Sequence, residues 1–140
     1  MTSRYHRLGA QLPRVTKELT QEKVARYAQA AGDFNPIHLD EAFAASTHFG
    51  RIVAHGMLGL AYLSEMLTRA YGEHWLRGGR LRVRFRGPAY PGDTLSTAGV
   101  VKSVTERDGA LDIECAVVCH NQSGAELIAG EAQVRCPPNA

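Results

Sequence analysis

Residues 56–71, GMLGLAYLSEMLTRAY, decide how we expect the chain to fold. Apolar side chains cover nearly the whole circumference of a helix drawn through this stretch, which predicts burial on most sides. Gly56 and Gly59 fall in its first turns, where they would let another backbone approach closely, at about 1 kcal/mol of helix propensity each. The stretch therefore predicts a central helix around which the other elements pack.

The sequence after this helix has the period of β-strands. Leu81, Val83 and Phe85 alternate with arginines, which predicts a strand with one buried and one basic face. The arginines are Arg80, Arg82, Arg84 and Arg86. Three further strand-like runs cover residues 94–105, 111–119 and 125–135. Asp108-Gly109 favours a tight hairpin between two of these strands. Together, the strands and the central helix predict an α+β fold in which a curved antiparallel β-sheet wraps around one buried helix.

The residues before the central helix predict two shorter helices joined by a fixed turn. Thr20 is a suitable N-cap for a first helix, and Gly32 can end it in the left-handed conformation. Asn35-Pro36 then turns the chain, because the residue before proline is kept out of the helical region. Asp40 can cap a second helix over residues 41–46.

The composition is that of a globular domain. A chain of 140 residues predicts a single domain, residues 1–140, with a core that needs no disulfides. Lysine and arginine total 16 against 14 acidic residues, a balance that favours neither a nucleic-acid nor a membrane partner. No apolar run approaches the roughly 20 residues of a membrane helix. The 3 cysteines have no metal-ligand spacing, so we expect a cytoplasmic protein whose thiols are free and without a metal site.

The stretch GDFNPIH, residues 32–38, holds the first candidates for chemistry. It places the carboxylate of Asp33 and the imidazole of His38 on one proline-fixed loop, where a turn could bring them together as an acid/base pair. The same residues are also common after a helix for structural reasons alone, with Gly as a C-cap, Asp in a turn and Asn-Pro redirecting the chain. Spacing alone leaves both interpretations open.

The start of the central helix is a second candidate site. Backbone N–H groups there lack intrahelical partners, so an N–H near Gly56 could stabilise an oxyanion. We expect His55 to be a solvent-exposed residue at the helix start. Ser64 lies two turns further on, and its hydroxyl either bonds to its own helix or supports the loop.

Two motifs connect these candidates to a known family. YAQAAGDFNPIHLDEAFA at residues 27–44, followed by AHGML at 54–58, resembles the signature of the MaoC-like hydratases. That family includes R-specific enoyl-CoA hydratases and 3-hydroxyacyl dehydratase subunits. The order of elements is also similar to that of the family's hot-dog fold, a sheet wrapped around a central helix.

The resemblance implies a role for each candidate residue. Asp33 and His38 would be the catalytic pair, with Asn35 positioning them or the water. Gly56 would supply the oxyanion-hole N–H, and Ser64 would support the loop from the central helix. The implied reaction is reversible syn hydration of a trans-2-enoyl-CoA to the (R)-3-hydroxyacyl-CoA, without a metal or organic cofactor. Members of the family usually join sheets side by side, so we expect a homodimer.

Several alternatives stay open at this point. The chain could be a 3-hydroxyacyl-carrier-protein dehydratase subunit that needs a different partner, a non-catalytic acyl-thioester-binding module, or a thioesterase. The basic strand could be a solvated sheet face, and one of its arginines or Arg51 could meet the phosphates of coenzyme A. An acyl tunnel is expected along four apolar side chains, namely Phe34, Phe43, Met57 and Leu60.

Overall fold

The computed structural model describes residues 4–138 and contains one open, antiparallel five-stranded sheet. Its strands are β1 (Thr16–Glu18), β2 (Arg80–Phe85), β3 (Thr94–Arg107), β4 (Ala110–His120) and β5 (Glu126–Cys136). They lie in the order β1-β3-β4-β5-β2. Between β3 and β4, Asp108 and Gly109 have φ angles of 53° and 76°, as a type I′ turn requires. The predicted hairpin is confirmed.

The helices precede the four long strands, and one of them fills the core. They are α1 (Gln21–Ala31), α2 (Glu41–Ala45), α3 (Gly56–Tyr71) and α4 (Glu73–Gly78), together with short 3-10 helices at Arg4–His6 and Pro36–His38. Leu63, Met66 and Leu67 of α3 are fully buried, and α3 contacts β3, β4 and β5. The predicted α+β architecture and the bounds of the central helix are confirmed, whereas α4 was not foreseen.

Edge strand β2 differs in one respect from the expected pattern. Its arginines are exposed and Leu81 and Val83 are half-buried, but Phe85 is 53% exposed instead of buried. The Phe85 ring lies against the start of α3, where a Cβ on Gly56 would stand 3.1 Å from it. Phe85 is therefore the last residue of the strand and packs against the N-terminus of α3 instead of entering the core.

The cysteines behave as small core residues. Cys115, Cys119 and Cys136 are free and buried, and for Cys115 and Cys119 this was expected from their spacing on one strand. Burial raises the pKa of the Cys119 and Cys136 thiols to about 11, so they stay protonated near neutral pH. Across residues 4–138, none of the helices combines the length and the apolar character needed to cross a bilayer.

Candidate active site

The loop after α1 is held by hydrogen bonds between near neighbours. Gly32 ends the helix with a φ of 73°. The Asn35 N–H donates to Asp33 Oδ1 at 3.2 Å, and the Ile37 N–H donates to Asn35 Oδ1 at 3.0 Å. Asn35 thereby caps the 3-10 helix that carries His38. The interpretation of this stretch as a helix C-cap followed by a turn is correct, and the same hydrogen bonds hold Asp33 and His38 in place.

Three ionisable side chains converge beside this loop. A carboxylate oxygen of Asp33, a ring nitrogen of His38 and a ring nitrogen of His55 all lie within 4.8 Å of one another. Asp33 is exposed, His38 is half-buried and His55 is buried. The structure thus brings together the two residues that spacing suggested and adds a third, His55.

Hydrogen bonding fixes which nitrogen of His38 can act as a base. Its Nδ1 lies 2.6 Å from the Val53 carbonyl oxygen. Because a carbonyl oxygen only accepts, Nδ1 must carry the proton and donate it. The neutral ring therefore keeps its lone pair on Nε2, where it can take a proton from a bound water.

His55 is buried, and the expectation of an exposed helix-start residue was wrong. Its side chain is 4% exposed, and its Nε2 donates to the Asp33 carbonyl oxygen at 3.1 Å. Its ring stacks on that of His38 with the centroids 3.8 Å apart. Burial lowers the pKa of His55, so the ring is neutral near pH 7. The buried neighbours Ile52, Val53 and Ala54 were the signal in the sequence that this segment enters the core.

The geometry of this cluster favours proton transfer over metal binding. Two imidazoles that share a metal ion must aim in-plane lone pairs at one point about 2.0–2.1 Å from each nitrogen. The rings of His38 and His55 are instead stacked with an interplanar angle of 27°, so their in-plane lone pairs do not converge. His38 Nδ1 and His55 Nε2 are also engaged by backbone carbonyls.

An apolar cavity of about 420 Å³ opens at the N-terminus of α3. His55 and Gly56 line it at one side, and Leu58, Gly59, Cys119 and Ile128 are among its apolar walls. None of the four residues expected to line an acyl tunnel belongs to this wall. Phe34, Phe43 and Met57 are exposed, because the loop and the first turn of α3 direct them outward. The cavity runs between α3 and the sheet instead.

Gly56 has the position expected of an N–H donor. It is the first residue of α3, and the Leu58 N–H is already bonded to the His55 carbonyl. The Gly56 N–H belongs to the first turn, where N–H groups have no intrahelical acceptor and the helix dipole favours negative charge. Since Gly56 also lines the cavity, a negatively charged oxygen could be stabilised there.

Ser64 is engaged elsewhere, which corrects the expectation that it supports the loop. Its hydroxyl accepts a hydrogen bond from Trp75 Nε1 at 3.0 Å. Ser64 lies eight residues beyond Gly56, or about 12 Å along the helix axis at 1.5 Å per residue. The serine therefore ties α4 to α3 at a distance from Asp33 and His38. Sequence could not show this, because its partner belongs to the helix that was not predicted.

Comparisons with known proteins match both the sequence and the fold. A model of the MaoC like domain family matches residues 7–121. The chain is 33% identical over 128 residues to an (R)-specific enoyl-CoA hydratase from Aeromonas caviae, covering 91% of this chain and 93% of that protein. It is 35% identical over 124 residues to a 3-hydroxybutyryl-CoA dehydratase from Methylorubrum extorquens, covering 86% of this chain and 75% of that protein.

The solved structures agree with the sequence comparison. The (R)-hydratase from A. caviae involved in PHA biosynthesis superposes with a TM-score of 0.79 and 31% identity. The match covers 94% of this chain and 97% of that chain. The fold is therefore the α+β hot-dog fold, with the sheet around α3.

Proposed function

Because this chain belongs to the MaoC-like domain family, we propose that it is an R-specific enoyl-CoA hydratase. It is a hydro-lyase that adds water reversibly across the double bond of a trans-2-enoyl-CoA to give the (R)-3-hydroxyacyl-CoA. The convergence of Asp33 and His38 with His55, which lines an apolar cavity, is the observation that carries this function. The cavity suits an acyl chain, and the two ionisable groups suit a water molecule.

In the proposed mechanism, Asp33 and His38 hold one water between them. Its oxygen bonds to C3 while one of its protons passes to the pair, and a proton from the pair is delivered to C2 on the same face. The Asp33 carboxylate and the free Nε2 of His38 can both take part in these proton transfers. Asn35 contributes by capping the 3-10 helix that carries His38.

The Gly56 N–H is proposed as the oxyanion-hole donor. When water adds at C3, the pair of electrons from the double bond moves onto the thioester oxygen as negative charge. A donor aimed at that oxygen lowers the barrier by on the order of 3–4 kcal/mol. Gly56 suits this role because it begins α3 and lines the cavity. No metal or organic cofactor takes part in this proposal, since hydration needs only addition of water at C3 and the transfer of protons.

A homodimer that works in the cytoplasm completes the proposal. Within residues 4–138, β2 is paired on one side only, with β5, and its inward residues Leu81 and Val83 are only half-buried. Asp33 and Phe34 are exposed beside the site, and Phe34 is 59% exposed. A second copy joined at this edge would pair the unpaired backbone N–H and C=O groups of β2 and cover apolar surface. Exposed arginines such as Arg84 are available for the phosphates of coenzyme A.

Hydration of crotonyl-CoA by the purified chain tests this function directly. We expect absorbance of the conjugated thioester to fall without release of free thiol, and the product to be (R)-3-hydroxybutyryl-CoA. Turnover that appears only with a different partner would indicate a dehydratase subunit of a heteromer. Thiol release would indicate a thioesterase. Binding without turnover under all conditions would indicate a non-catalytic acyl-thioester module.

A further inference from the structure

His55 makes two contacts that join otherwise separate parts of the candidate site. Its Nε2–H holds the main-chain carbonyl of Asp33, and one face of its ring supports the ring of His38. It also directly precedes Gly56 in the chain. One buried side chain therefore connects the carboxylate loop, the imidazole and the start of α3.

We infer that His55 is a positioning residue for the proposed hydration, acting as a neutral Nε2–H imidazole that holds Asp33 and supports His38. This inference rests on the proposed function but adds to it a residue outside the proposed catalytic groups. Both contacts act through Asp33 and His38, whose positions they fix. Positioning of this kind matters because a displacement of about 1 Å can cost on the order of 100-fold in rate.

The tautomer of His55 follows from its surroundings. The Asp33 carbonyl can only accept, so Nε2 carries the proton. Among residues 4–138, no group forms a hydrogen bond with the buried Nδ1 atom of His55. A proton added at Nδ1 would lack an acceptor in a buried place, which costs free energy. The hydrogen-bond geometry therefore favours the neutral ring.

The groups around His55 explain why an uncharged His55 ring favours the proposed hydration. The ionisable groups that face it are the Tyr27 phenol from α1, the Asp33 carboxylate from the loop and the His38 imidazole. His38 must accept a proton during hydration, and a cationic ring stacked on it would oppose that step. Burial is the largest effect and lowers the pKa of His55, the hydrogen bond to the Asp33 carbonyl raises it, and the charge of His38 lowers it. A neutral His55 leaves His38 free to become charged.

Two substitutions separate the two contacts. His55→Phe keeps a ring to stack on His38 but removes the donor to Asp33. His55→Gln keeps a donor comparable to Nε2–H but removes the ring. His120→Gln is the matched control, because His120 ends β4 and its Nδ1 lies near the neighbouring Asn121 carbonyl.

We expect both His55 variants to lose kcat for crotonyl-CoA by about 10- to 100-fold, with KM changed by less than about threefold. His120→Gln should keep wild-type values. A purely structural role would instead lower the melting temperature and leave kcat per folded molecule unchanged. A kcat within threefold of wild type in either folded variant overturns the inference, since both contacts are claimed.

NMR titration of the imidazole nitrogens supplies a readout that does not depend on turnover. In the wild-type protein we expect His55 to be the neutral Nε2–H form at pH 7. A cationic or Nδ1–H His55 at pH 7 overturns the inference even if the variants fail to fold. Absence of hydration by the wild type would instead overturn the proposed function, which this titration does not test.

Discussion

Asp33 and Asn35 serve the turn and the candidate site with the same atoms. The Asp33 carboxylate accepts the Asn35 N–H, and the Asn35 side chain caps the helix of His38. These bonds join residues two positions apart, so sequence was sufficient to identify the loop and its two ionisable groups. Sequence was not sufficient to choose between turn and active site, because the same bonds form in an ordinary turn.

Removing either member of the proposed catalytic pair, Asp33 and His38, should abolish most activity while the fold is kept. We expect Asp33→Asn and His38→Ala each to lower kcat for crotonyl-CoA by about 100- to 10,000-fold, the range for a lost acid or base. Asp33→Asn retains the oxygen that accepts the Asn35 N–H, so its loop should stay formed. Initial rates and circular dichroism measure the two effects separately.

The control for this experiment is Asp108→Asn in the hairpin between β3 and β4. Asp108 has a positive φ, which asparagine also tolerates, and it lies in the exposed turn. This variant removes one carboxylate and should keep wild-type kcat. An Asp33→Asn enzyme as active as Asp108→Asn would contradict the assignment of Asp33 to the reaction.

His55 and Ser64 show what the sequence could not reveal at the residue scale. Burial of His55 depends on its packing against Tyr27 and His38, which are distant in sequence. The partner of Ser64 is Trp75, on a different helix. Helical position gives the direction of a side chain but not the neighbour that it meets, so neither contact follows from local patterns.

At the scale of elements, α3 was predictable and α4 was not. The apolar circumference of residues 56–71 is a local pattern of 16 residues, long enough to give a clear signal. By contrast α4 has 6 residues, and isolated helices of that length are unstable without tertiary contacts. Its buried Trp75, bonded to Ser64, supplies the contact that holds it.

A double-mutant cycle should detect the link between α4 and α3. We expect Trp75→Phe to destabilise the protein, because it removes the donor and leaves the Ser64 hydroxyl without its partner. Combining it with Ser64→Ala should cost less than the sum, with a coupling of about 1 kcal/mol in urea unfolding. Crotonyl-CoA turnover by folded Trp75→Phe should remain near wild type. Zero coupling would contradict the hydrogen bond.

The cavity between α3 and the sheet should set the acyl chain length that the enzyme accepts. A Cβ on Gly59 would stand 2.9 Å from Ile128 Cδ1 and 4.0 Å from Cys119 Sγ, inside the cavity wall. We expect Gly59→Ala to lower kcat/KM for longer enoyl-CoA substrates about tenfold more than for crotonyl-CoA. Initial rates over a series from C4 to C16 measure this change.

Gly78→Ala is the matched control for the cavity experiment. Gly78 lies in α4, and a Cβ there would meet no atom within 4 Å. The same glycine-to-alanine change should leave the chain-length profile unaltered. If Gly59→Ala also leaves it unaltered, the acyl chain does not occupy this cavity.

At the scale of the whole molecule, two buried histidines should make stability fall in mild acid. Burial lowers the pKa of both His6 and His55 in the folded protein. The unfolded chain binds protons at a pKa of about 6.5, so below that pH it binds more protons than the folded chain. The contribution of these two histidines to the free energy of unfolding should therefore be complete above pH 7 and decrease as the pH falls through about 6.5.

Urea unfolding from pH 5 to pH 8 measures this dependence. His6→Phe removes one of the two titrating groups, while its ring can still stack on Tyr71 as His6 does. The stability of this variant should change less between pH 7 and pH 5 than that of wild type. An equal slope in both proteins would mean that His6 does not stay neutral in the folded state.

The proposed homodimer concerns the edge of the sheet that is formed by β2. Within residues 4–138, β2 has a partner strand on one side only, and such edges are templates for pairing with another chain. Leu81 is half-buried at this edge, so a second copy would bury it further. We expect light scattering at micromolar concentration to give twice the chain mass of 15.2 kDa.

Leu81→Glu should separate the two copies without unfolding them. A carboxylate at this position would have to be buried without a partner in the dimer, which costs several kcal/mol, but it can reach water in a monomer. The control is Leu8→Glu, because Leu8 is exposed and its segment borders β3. Strands β4 and β5 separate β3 from β2 in the sheet. Wild-type protein with the mass of one chain would contradict pairing through β2, as would a Leu81→Glu variant that remains dimeric.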